Sequence, residues 1–238
     1  MNYSIIIPAL NEEKHIKECL MEVKKQAPDA EVILVDGVST DRTVEIAQQL
    51  GAFVVIEKKR SVGAARTKGL KSAHGDVVCF IDADTVPSPS WFEQITEPFT
   101  DESVVGVGGM VEPIEGTLLE RLGLWFVFGV VSPVFFKMGL PLVTGQNMAF
   151  RRKEALAVGG FLEVVKQGKN YTEGEDTIMF LNIKKTGRIV HSKSRVCVSM
   201  RRIRNWGLPR YVLFNIRNYV HLLRYGTPIE DEYEAIRK

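Results

Sequence analysis

Two carboxylates one residue apart, Asp82 and Asp84, follow an apolar run in "VVCFIDADT" (77–85), and a second acidic pair, Glu175 and Asp176, lies in "EGEDTIMF" (173–180). In extended chain, residues i and i+2 share a face, so Asp82 and Asp84 are predicted to point the same way. Left bare, such a pair holds a proton at raised pKa; a divalent cation removes the repulsion. Hard carboxylate oxygens favour Mg2+ or Mn2+, which keep open positions for phosphate oxygens. The bland reading is two solvated loop carboxylates leading into "TVPSPS". Glu175 and Asp176 also carry two readings: negative charge at the start of a helix dipole, or a carboxylate that its neighbour pushes toward a pKa useful for base work.

The elements that must position these groups alternate. "YSIIIPA" (3–9) reads as a β-branched strand, and "NEEKHIKECLMEVKKQ" (11–26) as a helix with Asn11 at its N-cap. "EVILVDG" (31–37), "AFVVIEK" (52–58) and "DVVCFIDAD" (76–84) repeat the strand signal, separated by helical stretches at 39–51 and 61–75. Near-continuous apolar strands joined by helices argue for a parallel sheet covered on both faces. Ligands of such sheets sit beyond the carboxyl ends of the strands, where Asn11, Asp36 and the Asp82/Asp84 pair converge. After residue 90 the rhythm breaks into a strand at 103–113, an apolar stretch at 122–136, "PLVTGQNMAFRRKEALAVGGF" (141–161) and a helix at 174–187.

The expected fold class is therefore α/β: a single domain with a mostly parallel sheet flanked by helices and an elaborated C-terminal half. The expected division is a βα half over 1–90, a second half of the same domain over 91–204, and a C-terminal amphipathic helical tail over 205–238. With 238 residues, 45% hydrophobic and 25% charged, the chain has the profile of a folded globular protein. A net charge of +2 argues against a nucleic-acid partner. Cys19, Cys79 and Cys197 are too scattered for a disulfide framework or a zinc cluster, which fits a reducing cytoplasm. The start "MNYSIIIPALNEEK" reads as a first strand rather than a signal peptide.

The ordered set "IIIPALNEE" (5–13), "VILVDGVSTDRT" (32–43), "GAARTKG" (63–69), "VVCFIDADT", "GQNMAFRR" (145–152), "EGEDTIMF" and "SMRR" (199–202) resembles the family-2 glycosyltransferases, nucleotide-sugar enzymes of GT-A fold, over about residues 3–206. The resemblance implies an inverting, metal-dependent transfer with Mn2+ or Mg2+ as cofactor. Under it, Pro8, Asn11 and Glu12 border the nucleotide, Asp36 contacts base or ribose, and Arg66 lies near base and diphosphate. Asp82 orients the ribose or the metal's shell, Asp84 ligates the cation, and Asp176, beside Glu175, is the base. Gly145, Gln146 and Asn147 read either as sugar or acceptor contacts or as a turn into a strand. Arg201 and Arg202 read as diphosphate or acceptor partners or as surface coat, and Trp206 belongs to a partial chain-extension element that lacks its Gln. The pattern departs from the family at Gly37, where a second acid is frequent, and at Thr67, where Asn is usual. UDP-sugars are the implied donors, with GDP-mannose next.

"LGLWFVFGVVSPVFF" (122–136) is an interfacial or core segment by length, since no run of 18 apolar residues occurs. In the tail, "NWGLPRYVLFNIRNYVHLLRYG" (205–226), Arg210, Arg217 and Arg224 recur every seventh residue among apolar side chains. Together they suggest peripheral membrane contact and a lipid-linked acceptor, or a homodimer interface. His191 reads as a metal ligand or, more simply, as a structural side chain. Two competing classes remain: a haloacid-dehalogenase-like phosphatase using Asp82 as nucleophile, which "FIDADTV" superficially matches, and a non-catalytic nucleotide-sugar-binding protein.

Overall fold

The computed structural model describes residues 1–59, 61–161 and 174–226; the side chains of 201–203, 208 and 209 also lie outside the description. Eight strands among the described residues form one sheet: β1 (Tyr3–Ala9), β2 (Glu31–Asp36), β3 (Phe53–Ile56), β4 (Val77–Phe80), β5 (Val86–Pro87), β6 (Val104–Pro113), β7 (Met148–Arg151) and β8 (Arg188–Val198). Their spatial order is β3-β2-β1-β4-β7-β6-β8-β5. The helices are α1 (Ile16–Gln26), α2 (Thr43–Gln49), α3 (Val62–Ser72), α4 (Trp91–Thr96), α5 (Leu118–Trp125), α6 (Ser132–Lys137), α7 (Arg152–Ala157), α8 (Glu175–Ile183), α9 (Arg201–Trp206) and α10 (Leu208–Tyr225).

β3, β2, β1 and β4 run parallel, as the alternation of apolar strands and helices predicts. Beyond them the sheet is mixed. β7 enters antiparallel between β4 and β6, while β6 and β8 pair in parallel. Each inner strand sends alternate residues to opposite faces: Ile5, Ile7, Leu34 and Cys79 pack toward Leu20 and Trp91, whereas Ile6, Ile33, Val35 and Phe80 pack toward Leu70 and Phe180. Two apolar cores thus clamp the sheet, which explains why these strands read as unbroken hydrophobic runs.

Three local expectations change. Asn11 does not cap a helix: it adopts a left-handed backbone (φ 56°), and α1 begins only at Ile16 after a turn closed by His15 N–H donating to Glu12 O. β4 ends at Phe80, so Asp82 and Asp84 leave the extended geometry that would align them. Ile81 N–H still donates to Ile6 O at 3.2 Å, and Thr85 N–H then donates to Asp82 O at 3.1 Å, closing a tight turn. The apolar stretch is longer than expected, since α5, a π-helical segment (Phe126–Val131) and α6 run on as one 20-residue helix from Leu118 to Lys137. It is long and apolar enough by length and composition to cross a membrane, although Phe128, Ser132 and Phe136, spaced by four, are buried on the domain.

α3 lies so close to the sheet that a Cβ on Gly69 would stand 2.5 Å from Ile6 Cγ2 and 3.0 Å from Val35 Cγ2. Gly69→Val is therefore expected to cost about 3 kcal/mol of unfolding free energy in urea denaturation, from overpacking. A variant as stable as the parent would mean that α3 does not need this approach.

Candidate active site

The carboxyl ends of β1, β2 and β4 are tied into one rim by short contacts between loops. Gly37 N–H donates to Ala9 O (2.8 Å), Asn11 N–H to Ser39 Oγ (2.9 Å), and Thr40 N–H to Asn11 Oδ1 (2.8 Å). Glu12 N–H donates to Thr43 Oγ1 (2.8 Å), and Arg42 N–H donates to Glu13 Oε2 (3.1 Å). Asn11 and Glu12 therefore clasp the first loop to the second, and half-buried Pro8 pairs with Val35 within the sheet. Asp36, 2% exposed, accepts from Val38 N–H and Ser39 N–H through Oδ2, both at 3.0 Å. Its Oδ1 is buried with no hydrogen-bond partner among the described residues, an acceptor open to a donor from a ligand.

Asp82 and Asp84 are half-buried in the turn after β4. Their charges meet at α1: burial, then Asp84, then Asp82 push the Cys19 thiol far up its range, and Cys19 Sγ lies 3.6 Å from Asp82 O. The positive charge facing Asp82 comes from the protein itself. Arg66, on α3 and only 3% exposed, donates from Nη2 to Asp82 Oδ1 (2.9 Å) and to Gly145 O (3.0 Å), and from Nη1 to Glu175 Oε1 (2.6 Å). One guanidinium thus joins the β4 turn, the loop before β7 and the start of α8. A Cβ at Gly145 would overlap that guanidinium, so this glycine makes room for the node.

At α8, Asp176 Oδ1 accepts from Thr177 N–H at 2.6 Å. Burial raises the pKa of Asp176, with Arg66 acting against it. Burial lifts Glu175 to about 7; Arg66 opposes the shift and Asp176 reinforces it. With three acids (Asp82, Glu175 and Asp176) acting on one buried cation, negative charge is in surplus and a proton is retained near neutrality.

The family model described as Glycosyl transferase family 2 matches residues 4–158, more than half of the chain. The chain belongs to glycosyl transferase family 2. Among curated relatives, it is 35% identical over 130 residues to Glycosyltransferase AglE of Haloferax volcanii, covering 50% of this chain and 43% of that protein. It is 30% identical over 115 residues to the Dolichol-phosphate mannosyltransferase of Pyrococcus furiosus, covering 45% and 33%. These matches span less than half the length of either relative. Among solved structures, the mannosyltransferase PcManGT from Pyrobaculum calidifontis, in complex with GDP-Man and Mn2+, superposes with TM-score 0.67 at 22% identity, covering 91% of this chain and 64% of that one. That likeness establishes the GT-A fold.

Within this candidate site, Asp36, Arg66, Asp82, Glu175 and Gly145 surround or build the rim at the strand ends, and the other expected residues make the following contacts. Arg66 is occupied by Asp82, Glu175 and Gly145 O, which makes it a positioning residue rather than an open diphosphate contact. Asn147, fully buried, donates to Met110 O (2.8 Å) and Ser194 O (3.0 Å) and accepts from Trp91 Nε1 (3.0 Å), so it fastens β7 beneath the site instead of touching a sugar. Gln146 beside it is half-buried. Thr67, where Asn is usual, accepts Phe161 N–H at 2.9 Å and anchors the turn after α7. Trp206 packs on α10, its ring 5.3 Å from Phe214 and 5.2 Å from Arg210 Cζ, while the roles expected of Arg201 and Arg202 fall on side chains outside the described residues. His191 is half-buried: burial lowers its pKa to about 4, its ring meets Phe136 edge-on at 5.4 Å, and its Nε2 has no hydrogen-bond partner among the described residues.

No group of three His, Cys, Asp or Glu side chains that could hold a metal gathers among the described residues. The Asp82/Asp84 turn still fits a hard cation that takes one or two carboxylates and completes its shell from ligand oxygens and water.

Two outcomes are expected. Asn147→Ala leaves two buried carbonyls and the Trp91 indole unpartnered, so it should lose about 3 kcal/mol in denaturation, with donor affinity unchanged in the folded fraction. Glu175, raised in the folded state, binds its proton more tightly there than when unfolded, so its contribution to stability is full below about pH 4.5 and falls as pH rises through about 7. Glu175→Gln should flatten the fall in urea-unfolding free energy across that window; an unchanged slope would place the proton elsewhere.

Proposed function

We propose that the chain is a metal-dependent, inverting glycosyltransferase that moves a sugar from a nucleoside diphosphate sugar to an acceptor hydroxyl. The buried, unpartnered Oδ1 of Asp36 receives a hydrogen bond from the donor's base or ribose, at the rim that Asn11 and Glu12 hold together. Asp84, with Asp82 beside it, would hold a divalent cation, which when bound would supply positive charge to a departing diphosphate. Asp82 is kept in place by Arg66. Asp176 takes the acceptor's proton as the acceptor oxygen bonds to the anomeric carbon and the bond from that carbon to the diphosphate oxygen breaks. The observation that carries the choice of base is the commitment of Glu175 to Arg66 at 2.6 Å, which leaves Asp176 as the other carboxylate at the start of α8. The same Arg66 contact disfavours Asp82 as a phosphatase nucleophile.

A lipid-carried acceptor is supported by the named dolichol-phosphate relative and by the exposed apolar helix between β6 and β7. Release of nucleoside diphosphate from UDP- and GDP-sugars, with Mn2+ and a membrane lipid extract, tests the reading. Asp176→Asn is expected to slow transfer by about a thousandfold while donor-induced thermal stabilisation persists. Undiminished turnover would remove Asp176 as base and point to an acceptor already ionised, such as a lipid phosphate.

A further inference from the structure

α10 packs on the domain through one side only. Asn218 and Leu222 are buried, Leu222 lies against Ile178 of α8, and Tyr219 meets the ring of Phe135 at 6.2 Å. Val212, Leu213, Ile216, Val220 and Leu223 are each at least 40% exposed. At 3.6 residues per turn they fall on one face, roughly opposite Asn218 and Leu222. This helix is inverted relative to an ordinary surface helix, whose outward face is polar. Arg210, Arg217 and Arg224, all exposed, line one flank of that face, and α10 contains no Asp or Glu.

The N-terminal part of the long helix is equally bare: Leu118, Leu119, Leu122, Trp125 and Phe126 are each more than half exposed. Its other end is fixed to the domain, since Ser132 Oγ–H donates to Leu142 O at 2.6 Å and Phe136 packs edge-on against Phe180. The two helices meet through Phe135 and Tyr219, and an Arg204–Glu115 ion pair at 3.6 Å links α9 to the loop that leads into the long helix.

We propose that α10, with the exposed part of the Leu118–Lys137 helix, is a docking face for an anionic lipid bilayer. The apolar side chains enter the acyl boundary while Arg210, Arg217 and Arg224 stay at headgroup level, their stems along the apolar surface. Trp125 and Tyr225 suit the same polar–apolar boundary. Charge argues against a second copy as the occupant, because two-fold pairing through α10 would bring the arginine line against itself. The bilayer surface would then lie beside the residues that brace the start of α8, as Leu222 is next to Gly174. Docking does not depend on the transferase reading, and the two fail separately.

The test is co-sedimentation of the full chain with vesicles of phosphatidylcholine, with and without phosphatidylserine. Binding is expected to require phosphatidylserine, to weaken with salt, and to drop about a hundredfold in Arg210→Gln/Arg217→Gln/Arg224→Gln. Leu213→Asp/Ile216→Asp should abolish it. Donor-induced thermal stabilisation should be unchanged in both variants, which separates lost docking from lost folding. Failure of the wild-type chain to sediment with anionic vesicles overturns the proposal. So does equal binding by the arginine variant, or a solution dimer that Ile216→Asp splits while vesicle binding is absent.

Discussion

A single buried guanidinium holds the site together. Arg66 reaches three segments far apart in sequence, the turn after β4, the loop before β7 and the start of α8, and each contact is a hydrogen bond of 3.0 Å or less. A buried arginine is costly unless its charge is met, and here Asp82, Glu175 and Asp176 all act on it. The surrounding sequence serves that placement. Gly69 lets α3 descend onto β1, Gly145 leaves space for the guanidinium, and the ring of Phe161, held by Thr67, lies 5.8 Å from Arg66 Cζ.

The fold supplies two half-sites and Arg66 sets their spacing. One half, the donor side in the proposed function, is a rim of loops at the carboxyl ends of parallel strands, clasped by Asn11, Glu12 and Ser39 around the buried Asp36 carboxylate. The other half arrives after β6 and β7 have extended the sheet, bringing Glu175 and Asp176 onto the N-terminus of α8. Neither half contains a full catalytic set. The paired acids of α8 differ in their contacts although they are adjacent in sequence, Glu175 meeting Arg66 and Asp176 the Thr177 N–H.

The parallel half was legible because apolar runs such as "SIII" and "VILV" need two covered faces, and turn residues fixed the strand ends to within a few positions. The mixed half was less legible. β7, four residues long, looks like a turn with a short tail until its partners β4 and β6 flank it. The Asp82/Asp84 pair was found by type, but the same-face reading required extended chain to continue to Asp84, and the strand ends at Phe80. For Asn147 the two readings, sugar contact or turn into a strand, stayed open because a buried amide that fastens three segments has the same local sequence as one that faces a ligand. Arg66 offered one clue, a cation set among small residues in "GAARTKG", but pairing across 109 positions with Glu175 follows from topology alone.

Replacing Arg66 by Met and measuring both unfolding free energy and Mn2+-dependent binding of UDP- and GDP-sugars is the most direct test of this arrangement. Leaving buried Glu175 and half-buried Asp82 without their cation is predicted to cost about 3 kcal/mol above neutral pH and to abolish donor binding in the fraction that stays folded. A stability change below about 1 kcal/mol, the size of an exposed ion pair, together with unaltered donor affinity, would contradict it.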